Sequence, residues 1–128
     1  MTEVWSRISV PHPKNFIHSA NFAAIGQGLQ QAIGAAIAKP DEFVCLFVGD
    51  GGFMLGAINE FNTAVRLNIN LLVVVCNDSA YGAEYIQFKD RQMSPALSQF
   101  DWPSFAEIAT SLGGTGFKIT SNKDLDFA

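Results

Sequence analysis

Two uninterrupted apolar runs constrain this chain more than any other feature: Phe43-Val44-Cys45-Leu46-Phe47-Val48 and Leu71-Leu72-Val73-Val74-Val75-Cys76. Each has the length of a strand and neither alternates with polar residues. Each therefore predicts a strand buried on both faces, as in a parallel sheet. Between them, apolar residues return at helical spacing (Ile58, Phe61 and Val65), and Asn68-Ile69-Asn70 breaks that pattern. Strand, helix and strand at this separation make a βαβ unit. Its crossover is right-handed, so the two strands should be parallel neighbours. Cys45 and Cys76 sit inside the runs and read as buried free thiols, with nothing to imply an oxidising compartment.

The flanking segments extend this α/β reading. Residues 1–21 show no clean period and form an irregular leading segment. His12 and His18 lie there, six residues apart with no Cys nearby, which argues against zinc. Phe22, Ile25, Leu29, Ile33 and Ile37 fall near helical spacing, and a helix is expected from Gln27 to Ala38, ended by Lys39-Pro40-Asp41. Further on, a short helix is expected from Tyr81 to Phe88 and a loop from Met93 to Asp101. A helix should follow from Trp102 to Leu112, with Pro103 in its first turn and Gly113-Gly114 as its stop. Gly116 to Thr120 reads as a third strand, and Asn122 onward as the start of a capped helix. The 128 residues are room for one domain, on a prior of roughly 100–200 residues per domain. The predicted architecture is a doubly wound parallel sheet with helices on both faces.

Charge narrows the partners. Eight basic residues against twelve acidic ones give a net charge of −4, which argues against nucleic acid as a partner, since phosphate binding needs a basic face. No apolar run approaches the roughly 20 residues that span a bilayer. Met1-Thr2-Glu3-Val4-Trp5 does not begin a signal peptide, so the cytoplasm is the default location.

In a parallel sheet both strands run the same way, so Asp50 falls just past the carboxyl end of the first, and Asn77 and Ser79 just past that of the second. Open α/β sheets bind ligands along that edge. A carboxylate, a carboxamide and a freed main-chain carbonyl converge there. All are hard oxygen donors suited to Mg²⁺ or Ca²⁺. Gly49, Gly51 and Gly52 let main-chain N–H groups approach an anion, and the dipole of a following helix favours phosphate. A metal–phosphate site is one reading. The other is a pair of tight turns, with Asp50 capping a helix. Gly26-Gln27-Gly28 lacks the third glycine of a dinucleotide fingerprint and follows no strong strand.

Three motifs in order resemble those of one family. Gly49-Asp50-Gly51, with Asn77 twenty-seven residues after Asp50, resembles the thiamine-diphosphate motif, which begins with GDG and closes with a double Asn. Ala23-Ala24-Ile25-Gly26-Gln27-Gly28-Leu29-Gln30-Gln31-Ala32-Ile33-Gly34-Ala35-Ala36 resembles the G-A-M-G-F-G-L-P-A-A-I-G-A stretch of acetolactate-synthase-like enzymes. Asn59-Glu60-Phe61-Asn62-Thr63-Ala64 is similar to their Q-E-L-x-T-A helix. The resemblance covers residues 16–128 and implies the diphosphate-binding domain of a thiamine-diphosphate-dependent 2-oxo acid decarboxylase or carboligase. It implies that Asp50 and Asn77 bind Mg²⁺ through their side chains and Ser79 through its main-chain carbonyl. Gly49, Gly51 and Gly52 would lie at the diphosphate. Ile25 would wedge the cofactor into its bent shape, and the Ala23 carbonyl and Ile25 N–H would meet its aminopyrimidine.

The departures are specific. Cys76 replaces the first Asn of the usual pair, Gly52 a Ser often found after GDG, and Gln30 the proline of G-L-P. Glu84 is a candidate catalytic carboxylate or a solvated helix residue; Glu84, Ile86 and Phe88 are candidates for the substrate pocket. The resemblance further implies a truncated piece of a larger, homo-oligomeric, multidomain enzyme. Its pyrimidine-binding domain, in the same or a partner subunit, would supply the carboxylate that activates the cofactor. On that reading the isolated chain is a binding module without turnover. Phenylalanine is unusually frequent, with 11 residues. Phe53, Phe88 and Phe100 are expected to lend apolar surface to missing domains.

Overall fold

The computed structural model describes residue 4 and residues 6–18, 24–56 and 58–126. Helix α1 (Gly28–Ala38) leads into strand β1 (Val44–Gly49), which passes directly into the short helix α2 (Asp50–Leu55). Helix α3 (Glu60–Arg66) then precedes strand β2 (Leu71–Cys76). Helices α4 (Gly82–Asp90) and α5 (Phe105–Ser111) follow, with single 3-10 turns at Pro13–Asn15, Ala96–Ser98 and Asn122–Asp126. The strands pair in parallel over their whole length, from Val44 opposite Leu71 to Gly49 opposite Cys76. The βαβ reading therefore holds, and the fold is α/β with a parallel sheet.

One face of that sheet carries the core. Leu46, Val48, Val73 and Val75 point to it and pack on Leu29 and Ile33 of α1, Phe53 of α2 and Ala64 of α3. Of these, the buried Leu29, Ile33 and Phe53 each stabilise the fold by about 1.5–3 kcal/mol. On α1 the buried residues are Leu29, Ala32, Ile33 and Ala36, whereas Ile37 is 56% exposed. Steps of four residues overshoot a 3.6-residue turn, so the expected stripe drifts off the core by its third step. Asn68, at φ 51°, makes the turn between α3 and β2. Gly26 is indispensable at φ +95°: a Cβ there would stand 2.8 Å from the Gly56 nitrogen, so the turn before α1 packs on the end of α2.

The opposite face corrects the expectation of strands buried on both sides. Leu72 is 47% exposed, and Phe43 just before β1 is 61% exposed. Phe47, Cys45 and Cys76 are exposed as well. Strand side chains alternate, and among the described residues the packing helices lie against the Leu46–Val48 side. The two cysteines are thus free but not buried. Partial desolvation among apolar neighbours still pushes the Cys45 thiol up.

Other expectations shift in detail. The segment after Asp50 forms two short helices broken at Gly56 rather than one. Pro103 stands before α5, not in its first turn. Ser104 is the N-cap, its hydroxyl accepting the Glu107 N–H at 3.3 Å. Gly113 and Gly114 end the helix as expected, donating back to Thr110 at 3.0 Å and Ala109 at 2.9 Å. Gly116–Thr120 is not a strand; it pairs with neither β1 nor β2. The 3-10 turn after it is closed by Asp124, whose carboxylate accepts the Thr120 and Ser121 N–H groups and is held below the usual carboxylate range by them. Phe53 is not surface: at 7% exposure it packs edge-on to Phe105, 5.7 Å between ring centres. Phe88 and Phe100 are half-buried. Among the described residues the exposed phenylalanine rings are Phe16, Phe43, Phe47 and Phe117.

Candidate functional site at the strand ends

The last pair of the ladder joins Gly49 to Cys76, so Asp50 and Asn77 are the first residues beyond it on neighbouring strands. Asp50 opens α2 and is only 2% exposed. Its Oδ2 accepts the indole N–H of Trp102 at 2.8 Å. The one ion pair among the described residues, Lys39–Glu42, lies elsewhere. A buried carboxylate without a cation carries an unmatched charge. The α2 N-terminus and the indole offset part of it, and among the described residues no group donates to Oδ1, which remains a hard donor.

At the end of β2 the side-chain bonding is local. Asn77 Oδ1 accepts the Ser79 N–H at 3.0 Å, and Asp78 Oδ1 accepts the Ala80 N–H at 3.2 Å. These are successive Asx turns. They carry Ser79 into the left-handed region at φ 58°. The Ser79 carbonyl already accepts the Phe100 N–H at 2.9 Å. A carbonyl oxygen has two lone pairs, so it retains one acceptor position.

The glycine turn is tightly covered. A Cβ at Gly51 would lie 2.5 Å from two carbons of the Tyr81 ring. A Cβ at Gly52 would lie 3.7 Å from Ile25 Cγ2, which places Ile25 beside the turn. Ile25 is 60% exposed and precedes α1, so it is not a core helix residue. Among the described residues nothing lies within 4 Å of where a Gly49 side chain would start. Ala23 lies outside the described residues.

Glu84, Ile86 and Phe88 all fall on α4. Glu84 and Phe88 are one turn apart on one side, and Ile86 is on the opposite side, so the three do not form one surface. Glu84 and Ile86 are exposed and Phe88 half-buried. The structure joins to the site three residues that motif spacing does not find: Tyr81, Phe100 and Trp102. Trp102 is 52 residues from its partner, and the only hint is that a partly buried indole N–H seeks an acceptor.

Among the described residues no three His, Cys, Asp or Glu cluster to hold a metal. A site with one carboxylate, one amide and one carbonyl would not form such a cluster, and its all-oxygen donor set fits Mg²⁺. A shallow hollow of about 450 Å³ between Ile58, Pro103 and Ile108 is apart from the strand ends. No helix among the described residues is long and apolar enough to cross a membrane.

Residues 1–128 match the family described as thiamine pyrophosphate enzyme, C-terminal TPP binding domain. The chain is 30% identical to the acetolactate synthase isozyme 2 large subunit of Escherichia coli K12, over 98% of this chain and 24% of that protein. It is 34% identical to an acetolactate synthase of Bacillus subtilis, over 88% of this chain and 20% of the relative. It therefore spans a quarter or less of these relatives' length. Among solved structures, the thiamine diphosphate-dependent 4-hydroxybenzoylformate decarboxylase of Rhodococcus jostii RHA1 superposes with a TM-score of 0.71 at 28% identity. That match covers 81% of this chain and 20% of the decarboxylase.

Proposed function

Because this chain belongs to the family of C-terminal TPP-binding domains of thiamine pyrophosphate enzymes, we propose that its strand ends bind the Mg²⁺ and diphosphate of thiamine diphosphate within a 2-oxo acid decarboxylase or carboligase. The observation that carries this reading is the buried Asp50 carboxylate, with no cationic partner among the described residues, beside Asn77 at the end of a parallel pair.

In this reading Asp50 offers Oδ1, Asn77 its amide oxygen and Ser79 its carbonyl to the cation. Asn77 Oδ1 shares or exchanges the N–H of Ser79 to do so. The main chain of Gly51 and Gly52 would lie at the diphosphate, while the Tyr81 ring fills the side-chain space of Gly51. Ile25, beside Gly52, supports the bent cofactor, and its N–H and the Ala23 carbonyl meet the aminopyrimidine. Bound thiamine diphosphate supplies an electron sink for cleaving a 2-oxo acid next to its carbonyl. The protein's part is to hold the cation and orient the cofactor. Glu84, Ile86 and Phe88 remain substrate-pocket candidates. A pyrimidine-binding domain outside these residues, in the same or a partner subunit of a homo-oligomer, completes the site. The enzyme would work in the cytoplasm.

The test is calorimetric titration of thiamine diphosphate into the full-length protein with and without Mg²⁺. Binding should require Mg²⁺ and weaken at least about a hundredfold in Asp50→Ala, as expected when a cation loses its charged ligand. Unchanged binding in that variant would overturn the assignment.

A further inference from the structure

We infer that residues 98–102 form a strap that positions the ligand oxygens of the cation site, with Trp102 as the positioning residue for Asp50. This rests on the reading that Asp50, Asn77 and Ser79 hold a divalent cation. The strap touches two of the three. Trp102 Nε1 donates to Asp50 Oδ2 at 2.8 Å, and the Phe100 N–H donates to the Ser79 carbonyl at 2.9 Å. Two residues of one short segment thus tie together groups that stand on different strand ends.

The strap is itself held on several sides. It runs antiparallel to the segment after β2, with Ala80 bridging Gln99 and the Tyr81 N–H donating to the Ser98 carbonyl at 2.9 Å. Ser98 is 1% exposed, and its hydroxyl donates to the Pro95 carbonyl at 2.7 Å. The Trp102 indole stacks on Phe100, 4.5 Å between centres and 18° from parallel. Phe100 meets the Tyr81 ring edge-on at 4.5 Å, and Tyr81 closes over Gly51. The plane of the indole is therefore set before any ligand arrives.

An indole N–H is a single donor with no acceptor function. It commits Oδ2 and leaves Oδ1 free, so the carboxylate is presented to a cation through one oxygen. A bond from a neutral donor to a carboxylate is also stronger than one between neutral groups. Trp102 thus holds the carboxylate while its charge remains available to the metal. A purely structural Trp102 would act through ring stacking alone, which phenylalanine preserves.

The experiment uses the full-length protein in a Trp5→Phe background, which leaves Trp102 as the tryptophan of this domain. Mg²⁺ is titrated at saturating thiamine diphosphate while Trp102 emission is followed at wavelengths that separate it from any tryptophan elsewhere, with Trp102→Phe as the difference reference. Excitation draws electron density away from the pyrrole ring. A cation that offsets the carboxylate charge beside Nε1 should therefore move the emission to shorter wavelength, with the midpoint found by calorimetry. Trp102→Phe should fold and bind Mg²⁺ about tenfold more weakly, the effect of losing one hydrogen bond to a charged group. Mg²⁺ binding with unmoved Trp102 emission and an unchanged midpoint in Trp102→Phe would overturn the strap alone. No Mg²⁺-dependent binding in the parent protein would overturn the site and the strap together. Should Trp102→Phe fail to fold, the emission of the parent protein decides.

Discussion

The two strand ends reach the same edge by different means. At the end of β1, Asp50 is buried, bonded to an indole 52 residues away, and followed by a glycine turn under the Tyr81 ring. At the end of β2, Asn77, Asp78 and Ser79 are exposed; the Asn77 and Asp78 side chains accept from two residues ahead, and the Ser79 hydroxyl donates back to Asn77 Oδ1. The first end is made by tertiary packing and the second by local turn chemistry. A charge needs a prepared environment because burial is costly; a neutral amide can wait in a solvated turn and exchange one hydrogen bond for another.

The largest test of this contrast is Phe53→Ala. Phe53 lies three residues into the helix that Asp50 opens, within the core and against Phe105. Its removal should destabilise the fold by about 3–5 kcal/mol in urea unfolding. It should loosen the Asp50 end first, so amide exchange of Gly56, whose N–H donates to the Gly52 carbonyl at 3.2 Å, should accelerate more than that of Ser79. Equal acceleration would break the contrast. A smaller effect is expected from Gly51→Ala. The new methyl would overlap two Tyr81 ring carbons at 2.5 Å, so the ring must move. About 1–3 kcal/mol should be lost, read by the same unfolding. A neutral result would mean that Tyr81 swings aside freely and that the glycine turn is not closed by packing.

This contrast also explains what was legible in the sequence. The strands were legible because their apolar runs have sharp polar ends, and parallel pairing follows from the single crossover. Asp50 and Asn77 were legible because the ladder ends on their immediate neighbours. The Asx turns obey rules that act over two residues. Trp102 was not legible because nothing in local spacing couples position 102 to position 50. Burial of the second sheet face was overstated for a related reason. An apolar run shows that a strand can be covered on both sides; it does not say which residues cover it. Here Leu46 and Val48 meet α1 and α2, while Phe47 and Leu72 remain exposed. The third strand failed likewise: Gly116-Phe117-Lys118-Ile119-Thr120 has strand composition, but an extended segment becomes a strand only where a partner's edge is offered.

On the β2 side the expected effects are small. Asn77→Ala should cost about 0.5–1 kcal/mol, since it removes an exposed turn bond. It should weaken Mg²⁺-dependent cofactor binding less than Asp50→Ala does, because it deletes a dipole and not a charge. Cofactor titration of the two variants side by side measures the difference, and equal losses would erase the distinction between the ends.

Cys76→Asn should do least. This substitution restores the double Asn from which the sequence departs, so the motif by itself would lead one to expect a gain. The geometry says otherwise. Cys76 is the last paired residue of β2, and alternation turns its side chain to the exposed sheet face, opposite to Val75. An amide there would meet solvent and leave the Asn77 turn unchanged. Stability should shift by no more than about 0.5 kcal/mol and Mg²⁺ affinity by less than about twofold, as for a surface substitution. A tenfold gain in affinity would show that the β2 end is weak for want of this one residue. The contrast would then lie in side-chain identity rather than in how each strand end is packed.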